Sequence, residues 1–168
     1  DLKGDGILWD IHKILGLKSV KGVRAIKVYR LEGVSKSGAE KLAEQLLSES
    51  INQSYTINRS IINGRSQVLE IAYRPGVMNP EVASILKAAQ DLGIKLKAAD
   101  SSFEYEFFGK LTKAEVLKIV AKLKLYNPLI EQIVEAEPQT LLIKGSLGKT
   151  QTIPLRRCND DELMELSK

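Results

Sequence analysis

One cysteine and one histidine stand among the 168 residues, and each scarcity excludes chemistry. With Cys158 alone there is no intramolecular disulfide and no Cys-rich zinc motif, and the count fits a reducing compartment. A metal centre or a Ser-His-Asp triad has only His12 to be built around, which argues against hydrolase and metalloenzyme chemistry. Long apolar runs are lacking too. No stretch approaches the ~20 apolar residues of a membrane span, so the expectation is a soluble, cytoplasmic protein with no membrane partner. Position 1 is Asp, and no charged-then-apolar leader precedes it, which reads as a processed product or a piece of something longer.

What is present suffices for a core. The chain is 43% hydrophobic and 27% charged, and a domain of this size buries roughly 70% of its extended surface without needing disulfides or metal. Length alone implies one ordinary domain or two very small ones. The net charge of +4 would serve a nucleic-acid surface if its cations gathered on one face. They do not: the lysines run through every segment, interleaved with Glu and Asp, as solvated helix faces require. No nucleic-acid partner is expected.

From Ser66 onward the pattern is regular. Val68, Leu69, Ile71 and Tyr73 form a β-rich run that stops at Arg74-Pro75-Gly76. Val82, Ile85, Leu86, Ala89 and Leu92 recur at helical spacing, and Gly93 is placed to stop that helix. A strand from about Lys97 to Phe108 follows. Thr112 then caps a helix with Glu115 three residues on, the capping-box spacing, and with Val116, Ile119, Val120 and Leu123 as its buried stripe. After Asn127-Pro128 the run Leu129, Ile130, Ile133, Val134 reads as a third strand.

The N-terminal part repeats this order. A helix carrying Ile7, Leu8, Ile11, Ile14 and Leu15 is closed by Gly16; a strand spans Val23 to Leu31; Ser35 caps a helix with Ala39, Leu42, Ala43, Leu46 and Leu47 on one face; a strand is expected from Tyr55 to Ile62. The offset between copies is about 77 residues (93 − 16 = 77, 109 − 33 = 76). Asn63-Gly64 reads as the hairpin turn joining them. The second copy opens on a strand and the first directly on its helix, so a leading strand is expected upstream of Asp1.

Several motifs have ordinary readings. Gly145-Ser146-Leu147-Gly148-Lys149-Thr150 ends like a phosphate-binding P-loop, but the position that requires the first glycine is Ile143, and Gln151-Thr152-Ile153-Pro154 reads extended. A hairpin between Leu141–Lys144 and Thr152–Leu155 is expected instead. His12 belongs beside the exposed face of its helix, and Cys158, after Arg156-Arg157, to an exposed linker. Asn52-Gln53-Ser54 and Asn58-Arg59-Ser60 match the glycosylation pattern with nothing else to suggest secretion. Trp9, Tyr73, Phe103, Tyr105, Phe107 and Phe108 could stack on bases, but alternation puts Phe103, Tyr105 and Phe107 on one strand face, where core packing or an interface is expected instead. On the residues alone the chain is a duplicated α+β module without a visible active site.

Certain stretches carry a family resemblance. Asp1-Leu2-Lys3-Gly4, the helix ending Leu15-Gly16-Leu17, and Val20, Val23 and Arg24 resemble the D-x-x-G, helix, L-G-x, V-x-x-V-R pattern of PurS, the small subunit of phosphoribosylformylglycinamidine synthase. Arg74 to Pro80 resembles that family's P-G-V-x-D-P turn, and Leu125-Tyr126-Asn127-Pro128 its L-x-N-P. Asn159 to Lys168 is similar to the start of the linker after the tandem PurS-like region in the large, single-chain synthase. Two features depart: Ser48-Glu49-Ser50 replaces Tyr126-Asn127-Pro128 in the first copy, and the leading strand is absent.

The resemblance implies an α+β pseudo-dimer of two β-α-β-α-β units, one sheet layer backed by helices. The first copy is 1–62, the second 63–136, with a hairpin or extended linker over 137–158 and the start of a linker helix over 159–168. It implies part of an ATP-dependent glutamine amidoligase of purine biosynthesis, inactive as a segment and without cofactor here, ATP and magnesium belonging to the rest of the enzyme. The implied partners are its synthetase and glutaminase modules, in the same chain or as separate subunits, between which ammonia passes. No catalytic or metal residue is assigned. Exposed loop residues Arg74, Pro75, Gly76, Asn79, Pro80, Tyr126, Asn127 and Pro128 are expected to contact those modules. The alternative is a small-molecule-binding regulatory α+β domain.

Overall fold

The structure is a computed structural model that describes residues 1–62, 64, 66–142 and 155–166. The fold is α+β. In chain order it runs α1 (Leu2–Ile14), β1 (Val20–Glu32), α2 (Lys36–Leu42, continued by a π-helical turn, Ala43–Leu47), β2 (Gln67–Tyr73), α3 (Pro80–Asp91), β3 (Ala98–Gly109), α4 (Lys113–Lys122), β4 (Glu131–Ile133) and α5 (Asp160–Leu166). Among the described residues no helix is long and apolar enough to cross a membrane.

The helices begin where side chains satisfy their first N–H groups. Asp1 caps α1, accepting from the Gly4 N–H at 3.2 Å, and its second oxygen accepts from the Ala25 N–H of β1 at 2.6 Å. Asn79 caps α3 with Pro80 in the first turn. Thr112 and Glu115 form the expected capping box: the Glu115 N–H donates to Thr112 Oγ1 and the Thr112 N–H to Glu115 Oε2. Those bonds from Thr112 hold the Glu115 carboxyl below its usual range. Thr112→Ala is expected to cost about 1 kcal/mol, read as a lower urea midpoint at unchanged m.

Four antiparallel strands form an open sheet in the order β1-β3-β2-β4. Because directly opposed residues share a face, the register defines two faces of different character. One carries Val23, Phe107 and Gln67 in one row, Ala25, Tyr105 and Leu69 in the next, then Lys27, Phe103 and Ile71. Here α1 brings Ile7 and Ile11, and α4 brings Val116, Ile119 and Val120, into a single buried cluster. The other face carries Arg24, Glu106 and Val68, then Ile26, Glu104 and Glu70, then Val28, Ser102 and Ala72. At the centre of the β1–β3 pairing Lys27 faces Phe103 and Ile26 faces Glu104.

The strand expected over Tyr55–Ile62 is not formed; residues 53–62 are irregular. Local bonds take the place of a ladder there. Thr56 Oγ1 donates to the Arg59 carbonyl at 2.6 Å, the Ile62 N–H donates to Ser60 Oγ at 3.1 Å, and Asn58 between them sits at φ +52. The last strand is shorter than the expected 129–134, because the Asn127 carbonyl accepts from the Ile130 and Glu131 N–H groups and turns the chain first. The turn expected at Asn63-Gly64 rests on Asn63, outside the described residues. The P-loop-like segment and most of the expected hairpin fall on 143–154, also outside them; at its borders Leu141 and Leu142 are irregular and Leu155 begins a 3-10 turn.

Candidate interaction surface

Two loops expected to make contacts meet at one end of the sheet. At the end of β2 the Arg74 N–H donates to the Ile130 carbonyl at 2.9 Å, and its guanidinium Nε donates to the Pro128 carbonyl at 3.0 Å. Arg74 thereby ties residues 74–80 to residues 126–130. The first loop turns through Pro75 and Gly76, closed by the Val77 N–H on the Arg74 carbonyl. In the second, Asn127 Oδ1 accepts from the Leu129 N–H, and the Asn127 N–H donates to Glu131 Oε2.

The eight residues divide into two groups. Arg74, Pro75, Gly76, Pro80, Asn127 and Pro128 are exposed. Asn79 is buried: its Nδ2 donates to Asp100 Oδ1, the Ser101 carbonyl and Ser101 Oγ, while its Oδ1 accepts from the Glu81 N–H. Asn79 therefore joins α3 to β3. Tyr126 is half-buried and packs on the core cluster. These two fix the loops to the body of the molecule, and the other six are exposed, Arg74 and Asn127 among them while bonding within the loops.

The surface extends to residues the sequence did not single out. Met78 and Leu129 are 85% and 82% exposed, and Leu2, in the first turn of α1, is 93% exposed. Beside Leu2, the Lys3 ammonium lies 3.2 Å from the centre of the Phe103 ring, and Lys27 lies 4.4 Å from the same centre. Burial and the nearby Lys27 push the Lys3 amine down, opposed by Glu131 and Glu81. Those carboxylates belong to β4 and to the start of α3, so the first turn of α1 shares the end of the molecule where the loops meet.

Between them Glu81 is the hub. Burial pushes its carboxyl up, but bonds from Lys27 at 2.7 Å and Ser101 at 2.6 Å outweigh this and hold it below its usual range. A cavity of about 110 Å³ opens here, lined by Lys27, Asn79, Glu81, Ser101, Phe103 and Glu131 among others. It is small, and Ile71, Ala72 and Phe103 line it together with the polar side chains. Among the described residues no three His, Cys, Asp or Glu side chains are grouped to hold a metal.

The other sequence candidates lie apart. His12 is exposed on α1, its Nε2 2.8 Å from the Val20 carbonyl, which ties the helix to the start of β1. Cys158 is half-buried after the 3-10 turn rather than exposed. Tyr105 and Phe107 are core residues, whereas Trp9 is 59% exposed. The arrangement of exposed apolar side chains on clamped loops, rimmed by charge, suits docking of another protein, since pre-ordered loops lose little entropy on binding. No protein-family model matches the chain, and no match to it is found among curated proteins.

Proposed function

We propose that this chain is a non-catalytic assembly region of phosphoribosylformylglycinamidine synthase, a tandem of two PurS-like units that helps organise the synthetase and glutaminase modules and the ammonia transfer between them. The observation that carries the reading is the Arg74 clamp, which sets the two motif-bearing loops side by side with Met78 and Leu129 outermost. Placement of equivalent residues supports the duplication. Asp1 and Asn79 each begin the first helix of their half, and each side chain reaches the strand that follows, at Ala25 and at Ser101. Gly16 and Gly93 end those helices at φ +68 and +69. The strands that correspond between halves, β1 and β3, pair with each other, and the pairing is centred on residues the repeat offset apart.

The test is the double substitution Met78→Ala, Leu129→Ala. Truncating exposed anchors at an interface costs about 1–2 kcal/mol each, so affinity for the catalytic modules is expected to fall at least about tenfold. Glutamine-dependent amidation should fall with it, and amidation driven by added ammonia should be retained. Unchanged assembly and unchanged glutamine-dependent activity would rule out these loops as the contact. Calorimetric binding of a nucleotide or amino acid to the isolated chain would favour a regulatory domain instead.

A further inference from the structure

The sheet face away from α1 and α4 carries a carboxylate that the described residues leave unpaired. Arg24 forms a 2.6 Å ion pair with Glu106, without hydrogen-bond alignment, and Ser66 Oγ donates to the other Glu106 oxygen at 2.6 Å. At the far end Arg30 holds both oxygens of Glu70, and Ser102 donates to the same carboxylate. Both arginines are therefore engaged. Between these pairs stands Glu104, directly opposite Glu70, and like charges directly opposed across strands are destabilising. Among the described residues Glu104 has no hydrogen bond and no ion pair, and it is half-buried. Burial, then Glu70, push its carboxyl up, with Arg30 opposing and Glu106 and Glu137 adding to the rise.

Two described stretches of chain flank this row. Near Arg24 the Ile61 carbonyl accepts from the guanidinium, and Ser66 sits on Glu106. The segment after β4 returns to the opposite edge of the sheet, where Thr140 Oγ1 and the Leu141 N–H donate to Glu32, and Glu137 lies 3.9 Å from Arg30 on the way. Beside the unpaired carboxylate are the apolar Ile26 and, 38% exposed, Val68. A second copy would bring its own Glu104 toward this one, and nucleic acid would bring phosphates. The complementary occupant is one long cationic side chain with an apolar stem.

We propose that the row of Ile26, Glu104 and Glu70 receives a single arginine or lysine from a surface loop of a partner module docked on this face. The inference rests on the assembly reading above and names the chemistry of the contact. Glu104 is then a pairing residue at an interface, buried on docking and compensated only there.

The experiment titrates purified synthetase and glutaminase modules of phosphoribosylformylglycinamidine synthase, separately, into the 168-residue chain and its variants. One module is expected to bind the unaltered chain. Glu104→Gln should weaken that binding about tenfold and Glu104→Lys about a hundredfold, while Glu165→Lys, the same charge change on α5, leaves it within about twofold. Glu104→Gln also removes the like-charge opposition to Glu70, so the free chain's thermal midpoint at neutral pH should rise by about 2–4 °C. Equal affinity in the unaltered chain and both Glu104 variants would overturn the inference and leave the assembly reading standing. Failure of both modules to bind the unaltered chain would remove the assembly reading and this inference with it. A lower midpoint for Glu104→Gln would mean that a cation of the same chain already occupies the row. Self-association abolished by Glu104→Lys would make a second copy the occupant; either result overturns the proposal.

Discussion

Phe107→Ala is expected to lower the stability of the chain by about 3–5 kcal/mol. The side chain has no exposed surface and sits on β3 between Val23 of β1 and Gln67 of β2. It belongs to the cluster that holds Ile7 and Ile11 of α1 and Val116, Ile119 and Val120 of α4. Close-packed interiors relax only partly around a deleted ring, so the void weakens the seating of both helices at once. Urea unfolding at unchanged m measures the loss. Phe108, one residue on, points to the other face and is 38% exposed; Phe108→Ala should cost no more than about 1 kcal/mol. Equal losses at the two positions would contradict the assignment of faces.

The alternation that separates Phe103, Tyr105 and Phe107 from Ser102, Glu104 and Glu106 is plain in the sequence. The helices were legible for the same reason, because periodicity and capping are local. Thr112 with Glu115, and glycines 16 and 93, mark helix ends through residues no more than a few positions apart. The second half therefore shows the expected order of strand, helix, strand, helix, strand. Tyr55–Ile62 failed because its apolar residues compete with Thr56, Asn58 and Ser60, whose short polar side chains and tolerance of positive φ favour turns.

The candidate surfaces were legible only in part. Their loops are marked by Pro, Gly and Asn, but the clamp depends on Arg74 reaching a carbonyl 54 positions further along the chain. That α1 lends Leu2 and Lys3 to the same end follows from how the helix lies on the sheet, which periodicity does not encode. The polar face depends on register. Glu70 and Glu104 are both readable as strand residues, yet only the β2–β3 pairing sets them opposite each other, and only the β1–β3 pairing brings Arg30 and Arg24 within reach. Like charges far apart in the chain carry no sequence signal of their opposition.

Gly4→Ala is expected to cost at least about 3 kcal/mol, whereas Gly6→Ala, two residues on in the same helix, should stabilise by about 0.5–1 kcal/mol. An added Cβ at Gly4 would lie 2.2 Å from the Val23 carbonyl oxygen and 2.9 Å from its carbon, both backbone atoms of β1. No rotamer change relieves such an overlap, so α1 must lift from the sheet. Lifting withdraws Ile7 and Ile11 from the core and separates Asp1 from the Ala25 N–H. Full burial of an isoleucine is worth about 1.5–3 kcal/mol, so losing half from each, with the bond at Asp1, reaches the stated cost. At Gly6 the new methyl meets nothing within 4 Å, leaving only the gain from replacing glycine in a helix. Opposite signs for the pair in thermal unfolding would place the close approach of α1 to β1 at Gly4. A gain at Gly4 equal to that at Gly6 would mean that the helix lies further from Val23. Because Leu2 and Lys3 ride on the same first turn, Gly4→Ala should also weaken docking through the Met78 and Leu129 surface, and Gly6→Ala should leave it unchanged.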